Sequence, residues 1–174
     1  MPEVELFRCL GKVERFLVAH GQGSDPSRTG YATRFSNENE THATSLGFFR
    51  TAETYDGKHG YSLRLDGLSA TNSNARERAI VIHGADYVAS LGRSWGCPAV
   101  EMSVRTRLID MLKGGSVILA AITHREIAQV RCAELTTASG LRAATAYRHL
   151  EVSAHQLVVA ARKPPRVRIV VAPI

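Results

Sequence analysis

The run Ala79-Ile80-Val81-Ile82 is apolar throughout and β-branched at its last three positions. It is too short for a stable helix and has no polar face to turn to water, so it reads as a strand buried on both sides. A chain that carries such a strand must cover it with further layers. The neighbouring segments supply them: Arg15 to Ala19 reads as a strand ending in the turn-rich loop His20-Gly21-Gln22-Gly23-Ser24-Asp25-Pro26. Thr44 to Thr54 reads as another, with Gly47 marking a bulge, and Tyr61 to Asp66 alternates at period two until Gly67 stops it. Ser116 to Ile122 completes the set as a core strand.

Between these strands lies one helical pattern. Val100, Val104, Leu108, Met111 and Leu112 share a face after Pro98, and Gly114-Gly115 ends it. The expected fold is therefore mainly β with a short helix packed on the sheet. At 174 residues, with 44% hydrophobic and 22% charged residues, the chain is long enough for one core and globular in composition. No apolar run approaches the roughly 18 residues of a membrane span. Met1-Pro2-Glu3-Val4-Glu5 lacks the pattern of a signal peptide, so the expectation is either a cytoplasmic chain or a missing export signal.

The formal net charge of +6 invites a nucleic-acid reading, but its distribution argues otherwise. Residues 1–122 hold 14 Lys and Arg against 13 Asp and Glu, whereas 123–174 hold 8 against 3. No nucleic-acid partner is expected for the body of the chain. Cys9, Cys97 and Cys132 form no C-x-x-C pair, and none of the seven histidines sits in an H-E-x-x-H pattern, so neither a metal nor another cofactor is expected. Cys9 and Cys132 have no catalytic context, although an oxidising compartment would allow them to pair.

The chemistry concentrates in Ile82-His83-Gly84-Ala85-Asp86-Tyr87 and Gly92-Arg93-Ser94-Trp95-Gly96-Cys97-Pro98. A loop or hairpin between them returns Cys97 to the strand end that carries His83. A thiol with a pKa of about 8.5 is mostly protonated at neutral pH, and an imidazolium beside it favours the attacking thiolate. His83 then protonates the leaving amine. Gly96 lets the backbone turn tightly, Pro98 keeps Cys97 out of the α region, and the oxyanion donors fall to the amides of Cys97, Gly96 or Trp95. A helix starting at Pro98 would lower the Cys97 pKa further; one starting after Ser103 would not.

These residues resemble a family, the murein L,D-transpeptidase catalytic domain of the YkuD-like superfamily. The resemblance rests on His83, a spacer, then Ser94-Trp95-Gly96-Cys97. It extends to Arg34-Phe35-Ser36-Asn37, Thr44-Ser45-Leu46-Gly47-Phe48, Tyr55-Asp56-Gly57-Lys58-His59-Gly60 and Ile80 to Tyr87, covering roughly Val13 to Ile122. It implies an L,D-transpeptidase-like β-sandwich and a bacterial enzyme of the periplasm or cell envelope, acting as a monomer on peptidoglycan stem peptides. Cys97 would attack the carbonyl of the third stem residue, release D-Ala and form a thioester. An amine then gives a 3→3 cross-link, and water gives carboxypeptidase activity. His83 is the implied base, held by the Gly84 carbonyl. The alternative is an impaired homologue that acts as a wall-binding module.

Trp95 stands where many relatives carry histidine, which changes the acceptor-side wall. Arg93 and Ser94 are the expected substrate contacts, since a guanidinium pairs bidentately with a carboxylate, and Asn37 and Tyr87 are weaker candidates. His20-Gly21 reads as a structural loop, and His42, His59, His124, His149 and His155 as ordinary histidines. The domain expectation is a catalytic unit over 1–122 followed by a basic Ala-, Arg- and Val-rich extension over 123–174, itself a helix and a final strand, Arg166 to Val171.

Overall fold

The computed structural model describes residues 3–7, 13–90, 93–121 and 168–172, the stretches 3–7, 13–15 and 168–172 as backbone alone. Eight strands follow one another as β1 (Glu3–Phe7), β2 (Val13–Ala19), β3 (Gly47–Gly57), β4 (Gly60–Gly67), β5 (Val81–Gly84), β6 (Ala99–Val100), β7 (Val117–Ala121) and β8 (Arg168–Ala172). One helix, α1 (Met102–Leu112), lies between β6 and β7. The sheet order is β1-β2-β6-β5-β4-β3-β7-β8, and β8 pairs with β1 in parallel, so the sheet curls round and closes on itself. Its opposite walls face each other across the core. This is the mainly β fold expected from the sequence, with its helix a few residues after Cys97.

Every residue of β5 is buried, as an apolar strand covered on both faces requires. Leu63 and Leu65 point inward from β4 and are 0% and 1% exposed, in keeping with the period-two alternation. Burial in β3 is complete only at its start and fades toward Gly57, so the β3–β4 hairpin extends beyond the core. Its bulge falls between Thr51 and Thr54 rather than at Gly47. Gly47 instead has φ +114, and a Cβ there would lie 2.7 Å from Ser69.

Leu108, Ile109 and Leu112 turn from α1 into the core beside Phe49, Ile82 and Ile118. Gly114 and Gly115, with φ of +95 and +100, end the helix as their position suggests. Val100, which fits the helical face by spacing, belongs instead to β6, where it pairs with Val18 on β2 and Gly84 on β5. β8 inserts between β7 and β1 and so places part of the basic C-terminal stretch in the sheet. Residues 123–167, with the helix expected there and Cys132, and also Cys9, lie outside the described residues.

Candidate active site

β5 and β6 run parallel, with His83 opposite Ala99 and Gly84 opposite Val100. A parallel pair cannot be joined by a tight hairpin; the chain must leave the end of β5 and travel back to the start of β6. The stretch between His83 and Cys97 is that connection, made here with a 3-10 turn at Asp86–Val88 and no long helix. Cys97 lies two residues before Ala99, on the approach to β6, and Ala99 pairs with His83. Strand pairing thus brings the segment that follows the cysteine against the strand that carries the histidine, where the spacing alone allowed a hairpin.

His83 is 2% exposed. Its Nδ1 lies 3.0 Å from the Gly84 carbonyl, which can only accept, so Nδ1 carries the proton and Nε2 keeps its lone pair. Burial lowers the His83 pKa below 6.5, the Gly84 bond offsets part of this, and the nearby His59 lowers it further. The Cys97 thiol donates to the Ala79 carbonyl at 3.7 Å. Burial raises its pKa above 9.0, against the opposing pull of the Val81 amide and the Arg78 guanidinium. Both shifts favour the neutral forms, a thiol on Cys97 and an imidazole on His83.

The turn that carries Cys97 is braced from inside. Ser94 is 3% exposed; its hydroxyl donates to the Cys97 carbonyl and accepts the Gly96 amide at 3.2 Å. That use engages the Gly96 N–H, one of the expected oxyanion donors, and occupies the Ser94 hydroxyl within the turn. The amides of Trp95 and Cys97 have no partner among the described residues. Gly96 has φ +111, a conformation closed to ordinary side chains, and a Cβ there would sit 2.9 Å from the Ala43 carbonyl. α1 starts four residues after Pro98, at Met102, so its positive end does not act on the thiol directly.

The loop after β2 forms the other side of the turn. Ser94 N donates to the His20 carbonyl at 3.0 Å, and Gln22 N to the Ser94 carbonyl at 2.8 Å. Behind this bridge Asp25, whose side chain is 1% exposed, accepts the Nε of Arg93 at 3.1 Å. Burial alone would raise the Asp25 carboxyl; the amides of Thr29 and Gly30, with the Arg93 guanidinium and Thr29 hydroxyl, outweigh it and bring it down to about 2. His20 lies with Nε2 at 3.8 Å from the same carboxylate, and burial lowers its pKa despite Asp25. The His20-Gly21 loop thus meets the cysteine-bearing turn through main-chain bonds. The expected substrate contact Arg93 is spent in part on Asp25, while its side also lines a cleft of ≈ 410 Å³ with Gln22, Arg28 and His42.

Trp95 stands at the rim, 66% exposed. The His42 ring stacks on it at 4.8 Å and Lys58 Nζ lies 5.4 Å from its centroid. His59 stacks on His83 at 4.3 Å. Lys58 and His59 form the tip of the β3–β4 hairpin, whose extension beyond the core brings them over the site. From the other side Arg105 of α1 covers Gly84, where a Cβ would meet its Cδ at 2.7 Å, and reaches toward the His59 carbonyl at 3.5 Å. Tyr87 is half-buried in the 3-10 turn, and burial together with the neighbouring Cys97 pushes its phenol up to about 12.

Asn37 is not among these groups. Its side chain donates to the Ala70 carbonyl and the Ser73 hydroxyl and accepts the Asn74 amide, tying its loop to the 3-10 turn after β4. The residues missed by sequence reasoning are Asp25, His42, Lys58, His59 and Arg78. Only the hairpin tip carried a local signal, the turn glycines Gly57 and Gly60 around Lys58-His59.

Among the described residues no three His, Cys, Asp or Glu side chains gather as a metal site, and no helix is long and apolar enough to cross a membrane. No curated protein and no solved structure matches the chain. The family model for the L,D-transpeptidase catalytic domain matches residues 11–121, which span β2 to the end of β7 and hold His83 and Cys97 together with the loops around them. With well over half of its length matched, the chain belongs to the L,D-transpeptidase catalytic domain family.

Proposed function

We propose that the protein is a cysteine-dependent L,D-transpeptidase of the bacterial cell envelope that acts on peptidoglycan stem peptides. The family acts on peptidoglycan peptides. What supports this chain's own activity is the parallel pairing of β5, which carries a buried His83 with its Nδ1 engaged by the Gly84 carbonyl, with β6, which begins two residues after Cys97.

In this mechanism Nε2 of His83 takes the thiol proton as Sγ attacks the carbonyl of the third stem residue. The bond to D-Ala breaks, His83 returns the proton to the departing amine, and a Cys97 thioester remains. An amine of a second stem attacks the thioester and forms a 3→3 cross-link, or water attacks it and the outcome is carboxypeptidase activity. Gly84 performs with a backbone carbonyl the orienting work that a carboxylate does in a hydrolase triad. The amides of Trp95 and Cys97 are the oxyanion donors, each worth on the order of 10²–10³ in rate. Trp95 and Tyr87 form walls of the site. Arg93, anchored by Asp25, and Arg28 in the adjoining cleft would take a peptide carboxylate. The enzyme works as a monomer, on residues of the 1–122 unit.

The deciding experiment is intact-protein mass after brief incubation with a disaccharide-tetrapeptide, for wild type and Cys97→Ala, with released D-Ala assayed from the same tubes. The expected result is an adduct and D-Ala release in wild type, both lost in Cys97→Ala. A folded wild type that shows neither refutes the reading and leaves a wall-binding homologue.

A further inference from the structure

We propose that Arg78 is a positioning residue for Cys97, a fixed guanidinium set behind the Gly96–Cys97 turn that makes the thiol a usable nucleophile. The inference rests on the reading of Cys97 as the nucleophile.

The thiol needs such a charge because its surroundings otherwise favour the neutral form. It is partly buried against the core, and the Ala79 carbonyl faces it at 3.7 Å, an arrangement that suits S–H and opposes S⁻. Ala79 reaches that position with φ +52, a strained conformation for a residue with a side chain. The helix that commonly supplies a positive end in such a site begins only at Met102. The remaining sources of positive potential are the Val81 amide and the neighbour of Ala79 in the chain, Arg78.

The Arg78 side chain is held in place on three sides. Nη1 donates to the Ser36 carbonyl at 2.8 Å and to the Ser45 hydroxyl at 2.9 Å, and Nη2 donates to the Ala43 carbonyl at 2.6 Å. All three acceptors are neutral, and no carboxylate forms an ion pair with Arg78 among the described residues. Its charge is thus not quenched by a salt bridge, unlike that of Arg93 on Asp25. A Cβ on Gly96 would lie 3.2 Å from Nη2 and 2.9 Å from the Ala43 oxygen that Nη2 holds. The guanidinium therefore sits directly against the residue before Cys97 and keeps the Ala43 strand of the loop pressed on the same turn. Of the other titratable groups Tyr87 in the 3-10 turn is within electrostatic reach of the thiol, His83 lies on β5, and Glu38 acts on Arg78 from the loop side. Of these groups only Arg78 is a permanent cation.

The test follows iodoacetamide alkylation of Cys97 in the full-length protein against pH, read on the Cys97 peptide by mass spectrometry so that Cys9 and Cys132 do not interfere. Wild type, Arg78→Gln and Arg78→Lys are compared, with folding checked by circular dichroism. Arg78→Gln keeps amide donors but loses the charge: the midpoint should rise by about one pH unit and the rate at neutral pH fall about tenfold. Arg78→Lys restores the charge and should recover most of that loss. A folded Arg78→Gln with the wild-type midpoint overturns the assignment, as does an Arg78→Lys that is shifted as far as Arg78→Gln. If Arg78→Gln does not fold, Arg78→Lys decides: a midpoint near wild type supports the role, and a midpoint about one pH unit higher, or loss of folding in both variants, makes Arg78 a structural tie and overturns it. Alkylation needs no peptidoglycan, so a protein inert toward muropeptides yet shifted by Arg78→Gln would sink the proposed reaction and leave this inference standing.

Discussion

Gly21 and Gly96 meet backbone to backbone: a Cβ on Gly21 would lie 2.8 Å from the Gly96 α-carbon, and 2.2 Å from the His42 carbonyl oxygen. The loop after β2 and the cysteine-bearing turn are in contact with no side chain between them, so neither can move without the other. Gly21→Ala should cost about 1–3 kcal/mol by overpacking, since both obstacles are main chain and cannot rotate aside. Gly30→Ala is the contrast: φ is +85 but nothing lies within 4 Å, so only the backbone strain of about 1–2 kcal/mol applies. Urea unfolding of both variants, with alkylation of Cys97, checks this. The expected outcome is that Gly21→Ala alone changes the reactivity of the thiol.

Ser94→Ala should distinguish a brace from a substrate contact. Removing the hydroxyl strands the Cys97 carbonyl and releases the Gly96 amide, at a cost of about 1–3 kcal/mol. The loosened turn should lower kcat by about tenfold or more and leave KM nearly unchanged. A rise in KM at constant kcat would return Ser94 to the substrate side.

Asp25 should matter more for stability than its distance in sequence from Cys97 suggests. Asp25→Leu removes the acceptor of Arg93, Thr29 and Gly30 at once and leaves the guanidinium, 18% exposed, without its partner. A loss of about 3 kcal/mol is expected, from denaturant unfolding, larger than that of Arg93→Met, which leaves the carboxylate its amide donors. Equal losses would show that the amides contribute little.

The pH dependence follows from three shifted groups. His83 and His20 have folded pKa values below 6.5, so they bind protons less readily folded than unfolded. Stability is therefore at its full value above about pH 6.5 and declines as the pH falls from there toward their lowered values. Asp25 acts in a separate window: its contribution is complete above about pH 3.8 and is lost as the pH falls toward about 2. Unfolding free energies measured from pH 8 to pH 4 should show the first decline, and His20→Gln should make it shallower. The rate should fall on the acid side, at a pH below 6.5, as His83 becomes protonated. A flat stability curve from pH 7 to pH 5 would contradict the burial of both imidazoles.

Much of the fold is legible in local pattern. The alternation in Tyr61 to Asp66, the apolar run before His83 and the Gly114-Gly115 stop each record a period or a backbone conformation, and these depend on neighbours in sequence. So does the turn chemistry that singled out Gly96-Cys97-Pro98. Val100 shows where that logic fails: its spacing suits a helix, yet the two residues Ala99 and Val100 gain more by filling the gap between β2 and β5.

The sequence by itself determined the mainly β class, the helix with its stop, and the pairing of His83 with Cys97 as the reactive residues to look for. Only the tertiary structure decided what surrounds them. Arg93 meets Asp25 across 68 positions, Asn37 ties to Asn74 across 37, and Arg78 reaches Ala43 across 35. Polar side chains such as these suit solvent equally well in any local pattern. Their partners are fixed when strand pairing and core burial bring distant loops together and leave each donor to find an acceptor away from water.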